Sequence, residues 1–419
     1  MDKAHLLVIT PGLRAYREYL LRSISREYRI HLVTTVPPTW ERAHIDDCTV
    51  VADLTDTEEL VRAAVHAARK QPFDGVICWD ETYIVQSARI AAALGLPGDP
   101  EVIERCRDKH RTRVLLDAGD VPQPRHHLVS GLEEALEAAD GIGYPVVLKP
   151  RALAGSFGVV KADSPSQLRR TIEFTDASGA MAPELPTYAS NILVEEFARG
   201  PEISVDCVVH RGAVRPVCLA RKELGFAPYF EETGHVVDPA DPLWSDGALM
   251  DAVTRAHTAL GFTDGVTHTE IRLTSDGPKL IEVNARIGGG MIPYLHLLGG
   301  GADLGLAAAA VACGRPPGLA TAARRRVCAI RFFYPEREDS VIEDVRFEDA
   351  GLPAQIVHCG PLAHQGEVKS PPPRGLMDGR VAYAIAADED ADACRAALEK
   401  AGTALRVRVA PDGTPVPAP

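Results

Sequence analysis

The chain has 419 residues, of which 46% are hydrophobic and 25% charged, and it carries a formal net charge of −13. That length allows two or three domains with substantial cores, and the acidic balance argues against a nucleic acid or an anionic membrane as partner, because Arg324-Arg325-Arg326 is the only compact basic run. Nine scattered cysteines without a Cys-x-x-Cys pair point to reduced thiols in a cytoplasmic protein, away from a disulfide framework or a zinc site.

Met1-Asp2-Lys3 leads straight into a strand-like run, which predicts no signal peptide. Leu6 to Thr10, Ile30 to Thr34, Thr49 to Leu54 and Gly75 to Trp79 are predicted strands. Helical patterns at Tyr16 to Glu27, Thr57 to Lys70 and Tyr83 to Leu94 lie between and after them. This alternation predicts a parallel α/β domain over residues 1–98. Thr10-Pro11-Gly12-Leu13 after the first strand lacks the Gly-x-Gly-x-x-Gly turn of a dinucleotide site.

A helical segment is expected from Ile103 to Ala118, then a helix opened by Ser130 with Glu133 as its capping-box partner. The strand Val146 to Lys149, the loop 151–158 and the strand Val159 to Lys161 follow. Ser164, Pro165 and Gln167 mark the next helix start. Asp176 to Ser190 reads as an exposed loop. Strands are predicted at Leu193 to Phe197, Ile203 to His210 and Ala213 to Ala220. The stretch Leu304 to Cys313 is apolar but too short to span a bilayer. A smaller α+β region occupies 324–410, and 411–419 is expected to be a flexible tail.

The segment Thr269 to Arg286 carries the most chemistry. Alternating residues on both sides of Ser275-Asp276-Gly277 predict a hairpin. Folded about Asp276, it sets Glu270 opposite Glu282 and Arg272 opposite Leu280. Glu270, Glu282 and Asn284 then share one face, and Ile271, Leu273, Ile281 and Val283 the other. Two opposed carboxylates repel, so a cation is expected between them. Two carboxylates and an amide oxygen suit Mg²⁺ held also by phosphates, and Arg286 could meet a phosphate or carboxylate on the same face. The bland alternative is a solvated acidic hairpin.

Lys149 ends an apolar strand beside Gly155-Ser156-Phe157-Gly158, where free backbone N–H groups can meet a polyphosphate. Taken alone, Gly-Ser-x-Gly is more often a plain turn. Glu195-Glu196-Phe197-Ala198 and Glu202 bracket a Gly-Pro turn and could equally be charged punctuation between strands.

Together these segments resemble the ATP-grasp superfamily, with several motifs in the family's order. Asp108-Lys109 looks like its first phosphate-binding lysine, and Tyr144 to Pro150 with Gly155 to Val159 like its second lysine and Gly-rich lid. Val194-Glu195-Glu196-Phe197-Ala198 resembles the hinge that receives adenine, and Glu202 the acid on the ribose hydroxyls. Glu270, Glu282 and Asn284 match its metal residues, and Arg286 its phosphate residue. The resemblance runs over roughly the first 315 residues and implies an ATP-grasp catalytic domain at 99–323 made of two α+β subdomains.

Within the superfamily, Glu232 to Pro239, Arg286 to Gly290 and Ala329 to Phe333 resemble the L-amino-acid ligases. The resemblance implies an ADP-forming carboxylate–amine ligase using ATP and Mg²⁺, or Mn²⁺ in its place. It would activate an amino-acid carboxylate as an acylphosphate and join it to an amine, giving a dipeptide or amide, as in natural-product pathways. Glu232, His235, Arg286 and Gly289 would face the substrates, with His235 orienting or deprotonating the amine and Arg286 absorbing charge. A carrier-protein thiol or a non-amino-acid amine remains open as acceptor, as do the acylphosphate steps of nucleotide biosynthesis. A non-catalytic nucleotide-binding scaffold is the alternative from another class. Biotin-dependent carboxylation is disfavoured, because no Met-Lys-Met segment is present. A homodimer is the default for such an enzyme.

Overall fold

The computed structural model describes residues 3–153, 155–178 and 191–410, and all counts below refer to them. The tail 411–419 and most of the loop expected at Asp176 to Ser190 lie outside the described residues; Asp176 and Ala177 close the helix Pro165–Ala177.

Four strands open the chain: β1 (His5–Ile9), β2 (Arg29–Thr34), β3 (Asp47–Val50) and β4 (Gly75–Ile77). They form a parallel sheet in the order β3-β2-β1-β4. All of β1 is buried, as befits a strand covered on both faces. The third strand ends earlier than its apolar pattern suggests, because Asp53 turns the chain by accepting the Thr55 N–H, and Asp56 then caps the helix Thr57–Lys70. The segment Ile103 to Ala118 is two helices, Pro100–Arg107 and Lys109–Ala118. Asp108 separates them: its carboxylate accepts the His110 and Arg111 N–H groups, and that cap fixes Lys109 at the first helical position.

The next sheet contains β5 (His126–Val129), β6 (Val146–Pro150), β7 (Val160–Ala162) and β8 (Ile192–Glu196), antiparallel in the order β5-β8-β6-β7. The helices Leu132–Ile142 and Pro165–Ala177 cover one face. Ser164 caps the second as expected, with Gln167 answering the Asp163 N–H. The first starts one residue later than expected, with Gly131 at its cap; Glu134, rather than Glu133, accepts the Ser130 N–H at 2.8 Å.

The central sheet is built from β9 (Glu202–His210), β10 (Ala213–Gly225), β11 (Glu231–Val237), β12 (Gly265–Thr274) and β13 (Gly277–Asn284). Beyond Arg324 come β14 (Val327–Phe333), β15 (Ser340–Phe347), β16 (Ile356–Pro361), β17 (Val368–Lys369), β18 (Ala382–Asp388) and β19 (Leu405–Val409). Three of these extend the central sheet to eight strands, β13-β12-β9-β10-β11-β14-β18-β16, while β17-β15-β19 stand apart. Strand β10 runs past Ala220 to Gly225 because β11 pairs with that half.

One core cluster joins Leu6 and Val8 of the first sheet to Val208, Ala220 and Ile330 of the central one. The apolar stretch from Leu304 is a helix buried in that cluster, with Gly305 against Leu20. Among the described residues no helix is long and apolar enough to cross a membrane. All nine cysteines are free.

Candidate active site

The hairpin pairs Glu270 with Glu282, as its alternation predicts, but by another route. Thr274 pairs with Gly277, leaving a two-residue turn at Ser275-Asp276, and Gly277 sits at φ +108°, open to glycine at little cost. Arg272 therefore faces Lys279, not Leu280, and Ile271 faces Leu280. A bulge between Glu270 and Ile271 then restores the acidic pair. Ile281 is the extra residue of that bulge and lines the cavity, whereas Leu280 and Val283 enter the core.

Each carboxylate of the pair is answered by a lysine of its own. Lys109 Nζ lies 3.1 Å from Glu282 and also donates to the Leu153 carbonyl. Lys222 Nζ lies 2.9 Å from Glu270, 2.6 Å from Glu232 and 3.4 Å from Glu202. The Lys222 side chain has no solvent exposure. Burial would lower its pKa, yet the three carboxylates hold it well above the ordinary lysine value. Carboxylate oxygens of Glu202, Glu232 and Glu270 come within 4.8 Å of one another, and together they cradle the Lys222 ammonium.

Lys149 lies near the end of β6 with its ammonium 2.5 Å from Glu195, which is also gripped by Arg113 at 2.7 and 3.2 Å. Burial alone would raise the Glu195 pKa, but Arg113 and Lys149 bring it down to about 2. Burial lowers the Lys149 pKa despite Glu195, with Arg113 adding to the effect. Glu195 thus faces inward as the support of Lys149. Glu196 pairs with Lys279 at 2.7 Å, and Glu202 with Arg272 at 2.8 Å. Phe197 lies under Lys161, whose ammonium is 5.1 Å from the ring centroid and 2.7 Å from Asp163, so Lys161 is engaged.

In the loop after β6, Gly155 and Ser156 have φ of +63° and +60°. A Cβ on Gly155 would sit 2.6 Å from the Met377 methyl group. Gly158 does not line the cavity; its carbonyl accepts the Thr175 hydroxyl at 2.9 Å and closes the loop on the helix behind.

Arg286 reaches the first domain, where its Nε is 2.5 Å from Glu81. Arg107 holds the other Glu81 oxygen at 3.0 Å. Burial would raise the Glu81 pKa, but Arg286, Arg107 and Lys109 keep it low. The C-terminal region adds Arg380, stacked 3.8 Å over the Phe332 ring and paired with Glu231 at 3.0 Å.

His235 does not reach the cavity. It is fully buried under Gly290, and neither ring nitrogen has a hydrogen-bond partner among the described residues. Its Nε2 is 3.4 Å from Glu232. Burial drives its pKa to about 3, so the ring is neutral. Glu232 stands between His235 and the cavity, and for it burial is outweighed by Lys222 and His235, which bring its pKa to about 2. Glu232, and not His235, lines the cavity, which corrects the direct contact expected of His235.

Every other residue singled out from the sequence lines one cavity of about 520 Å³: Lys109, Lys149, the loop 155–157, Glu195 to Ala198, Glu202, Glu232, Glu270, Glu282, Asn284, Arg286 and Gly289. Sequence reasoning missed Lys222, Arg380 and the pair Asp206–His268, joined at 2.5 Å, and it gave no role to Glu81 or Arg113. Burial would lower the His268 pKa, but Asp206 and Glu270 raise it to about 9. The available signal was a lone charge inside an apolar strand, as for Asp206 in Val205-Asp206-Cys207-Val208.

Residues 142–293 match the model of the ATP-grasp domain, and residues 22–98 that of the ATP-grasp N-terminal domain. Over 259 residues the chain is 27% identical to an alanine–anticapsin ligase of Bacillus subtilis, covering 57% of this chain and 54% of that protein. It is 29% identical over 346 residues to carnosine synthase 1 of Homo sapiens, covering 78% and 42%. An uncharacterized protein of Sinorhizobium fredii is 32% identical over 259 residues, covering 60% and 51%. The chain thus spans about half the length of these curated relatives. The crystal structure of an L-amino acid ligase from Bacillus licheniformis superimposes with a TM-score of 0.81 at 21% identity, covering 97% of this chain and 99% of that one.

Proposed function

We propose that this chain, which belongs to the ATP-grasp superfamily, is an ADP-forming ligase that activates an amino-acid carboxylate and couples it to an amine. The observation that carries the reading is the convergence, on one cavity, of the opposed pair Glu270–Glu282, the lysines 109 and 149, and a second wall from Glu232, Arg286 and Arg380. A cavity of about 520 Å³ has room for a nucleotide and small substrates together. The relatives point the same way, since an alanine–anticapsin ligase and a carnosine synthase are among them.

In this reading Phe197 and Ala198 receive the adenine, and Glu202 the ribose end. Lys149 and the N–H groups of the 155–157 loop hold the phosphates, with Lys109 beside them. Glu270, Glu282 and Asn284 are hard oxygen donors on one wall, and the lysines already drawn to both carboxylates show that this wall takes positive charge. These residues would hold Mg²⁺, which would supply charge neutralisation to the nucleotide phosphates. Arg286, oriented by Glu81, faces the charge that develops as phosphate passes to the substrate carboxylate. Glu232 then accepts a hydrogen bond from the incoming amine, and His235 positions Glu232 from behind. The amine displaces phosphate from the acylphosphate and forms the amide.

The domain boundaries at 98 and 323 belong to this reading. Ile330 and Phe332 of β14 lie in the same core cluster as the helix Ile292–Leu298, so the C-terminal region docks on the catalytic sheet and brings Arg380 to the cavity. ADP release is to be measured with single amino acids and with pairs. The reading expects release that depends on the amino acid and stoichiometric amide. Hydrolysis indifferent to every amino acid would point to a nucleotide-binding scaffold.

A further inference from the structure

Among the described residues, Arg17 is the one basic side chain on the cavity wall with no carboxylate within ion-pair distance; Asp80 acts on it only from farther away. Lys109 pairs with Glu282, Lys149 with Glu195, Arg272 with Glu202, Arg286 with Glu81 and Arg380 with Glu231. Arg17 lies in the first helix, Arg14–Glu27, with its stem against Gly12, where a Cβ would come 3.0 Å from its Cγ. Its guanidinium donates two long bonds to backbone carbonyls, 3.4 Å to Gly288 and 3.5 Å to Trp79, and has the neutral Tyr19 hydroxyl beside it. Asp80 shares this end of the cavity, but its Oδ1 accepts the Thr82 N–H at 3.0 Å and it makes no ion pair within 4.0 Å of Arg17.

A guanidinium stays charged in a protein and forks naturally around a carboxylate or phosphate. Leaving such a group half-buried and unanswered is costly, so the arrangement calls for an anion brought by a ligand. The phosphates have their own partners at the other end, at Lys149 and the 155–157 loop. The carboxylate to be activated must reach the hairpin wall. What remains for Arg17 is a second carboxylate.

We propose that Arg17 is a specificity-determining residue that receives the carboxylate of the acceptor substrate, the one the reaction leaves untouched. This rests on the ligase reading above. The run Gly288 to Gly290 gives the scale: Arg17 bonds the carbonyl at Gly288, while Gly290 packs on His235, which touches Glu232. Two residues span at most about 7 Å of backbone. The amine site at Glu232 and the carboxylate site at Arg17 therefore flank the same short run of backbone on the wall of one cavity. The acceptor class is an amino acid with a free carboxylate, rather than a simple amine or a carrier thiol.

Calorimetric titration of the wild type, Arg17→Ala and Arg17→Lys with the common L-amino acids and their C-terminal amides tests this. The wild type should bind at least one free acid about 10-fold or more tighter than its amide, and Arg17→Ala should lose about 10- to 100-fold on the acid alone. Arg17→Lys should recover part of that loss. In turnover, KM for the acceptor should rise while kcat and KM for ATP hold. Equal losses on acid and amide in Arg17→Ala, equal binding of both by the wild type, or no binding of any free acid would each overturn the proposal. ADP release that ignores amino acids would instead sink the ligase reading, and calorimetry would still judge the carboxylate site.

Discussion

Glu195→Gln is expected to damage stability and nucleotide binding together, although Glu195 is the support of Lys149 and no longer a contact of adenine. Its carboxylate sits 2.5 Å from Lys149 and 2.7 Å from Arg113, with only 2% of the residue exposed. Burial opposes its ionisation, but the two cations bring its pKa from the ordinary 4.5 to about 2. At about 1.4 kcal/mol per pH unit, that difference is worth ~3 kcal/mol of folding stability. Because the folded pKa is depressed, this contribution is present above about pH 4.5 and is lost as pH falls toward 2. The glutamine leaves two buried cations without their anion, so urea unfolding at pH 7 should show a loss of ~3–5 kcal/mol. A second consequence concerns Lys149. Burial already lowers its pKa, and Glu195 is the main force raising it. Without Glu195, only Glu282 is left to oppose burial and Arg113, and the ammonium gives up its proton more readily. ATP titrations between pH 6.5 and 9 should therefore show affinity falling more steeply with rising pH in the variant than in the wild type. A stability loss under ~1 kcal/mol, with an unchanged pH profile of ATP binding, would refute this account.

Glu282→Gln should abolish Mg²⁺-dependent turnover while leaving the melting temperature of the metal-free protein near the wild-type value, since relief from Glu270 is offset by loss of the Lys109 ion pair; near-normal ligase activity would remove the hairpin from the metal site. Lys222→Met should cost ~3–5 kcal/mol in urea unfolding, because three carboxylates lose their shared cation; a loss under ~1 kcal/mol would show the cradle to be energetically idle. Glu232→Gln should slow amide formation more than ADP formation, with His235→Ala having the same sense but a smaller size; ADP and amide measured in one assay should diverge, and parallel losses would place Glu232 with phosphoryl transfer instead.

Local pattern was enough for the parallel first sheet, the antiparallel strands around the lid loop and the hairpin with its acidic pair. Those features depend on alternation, caps and turn residues, which act between near neighbours in the chain. Even there, the route to the Glu270–Glu282 pairing was hidden. A bulge changes register by one residue without changing composition, and with it Ile281 moved from the core to the cavity. Tertiary structure alone decided which charges answer which. Glu195 turned inward because Arg113, eighty-two positions away, meets it there. Lys222 gathers carboxylates from three other strands, and Arg286 is oriented by Glu81 from the turn that follows β4. Strand alternation placed His235 on the site's side of the sheet, but the close packing of Gly290 put it one layer behind the cavity wall. Periodicity tells which face a side chain takes; how deep it lies, and which distant charge it meets, depends on long-range packing.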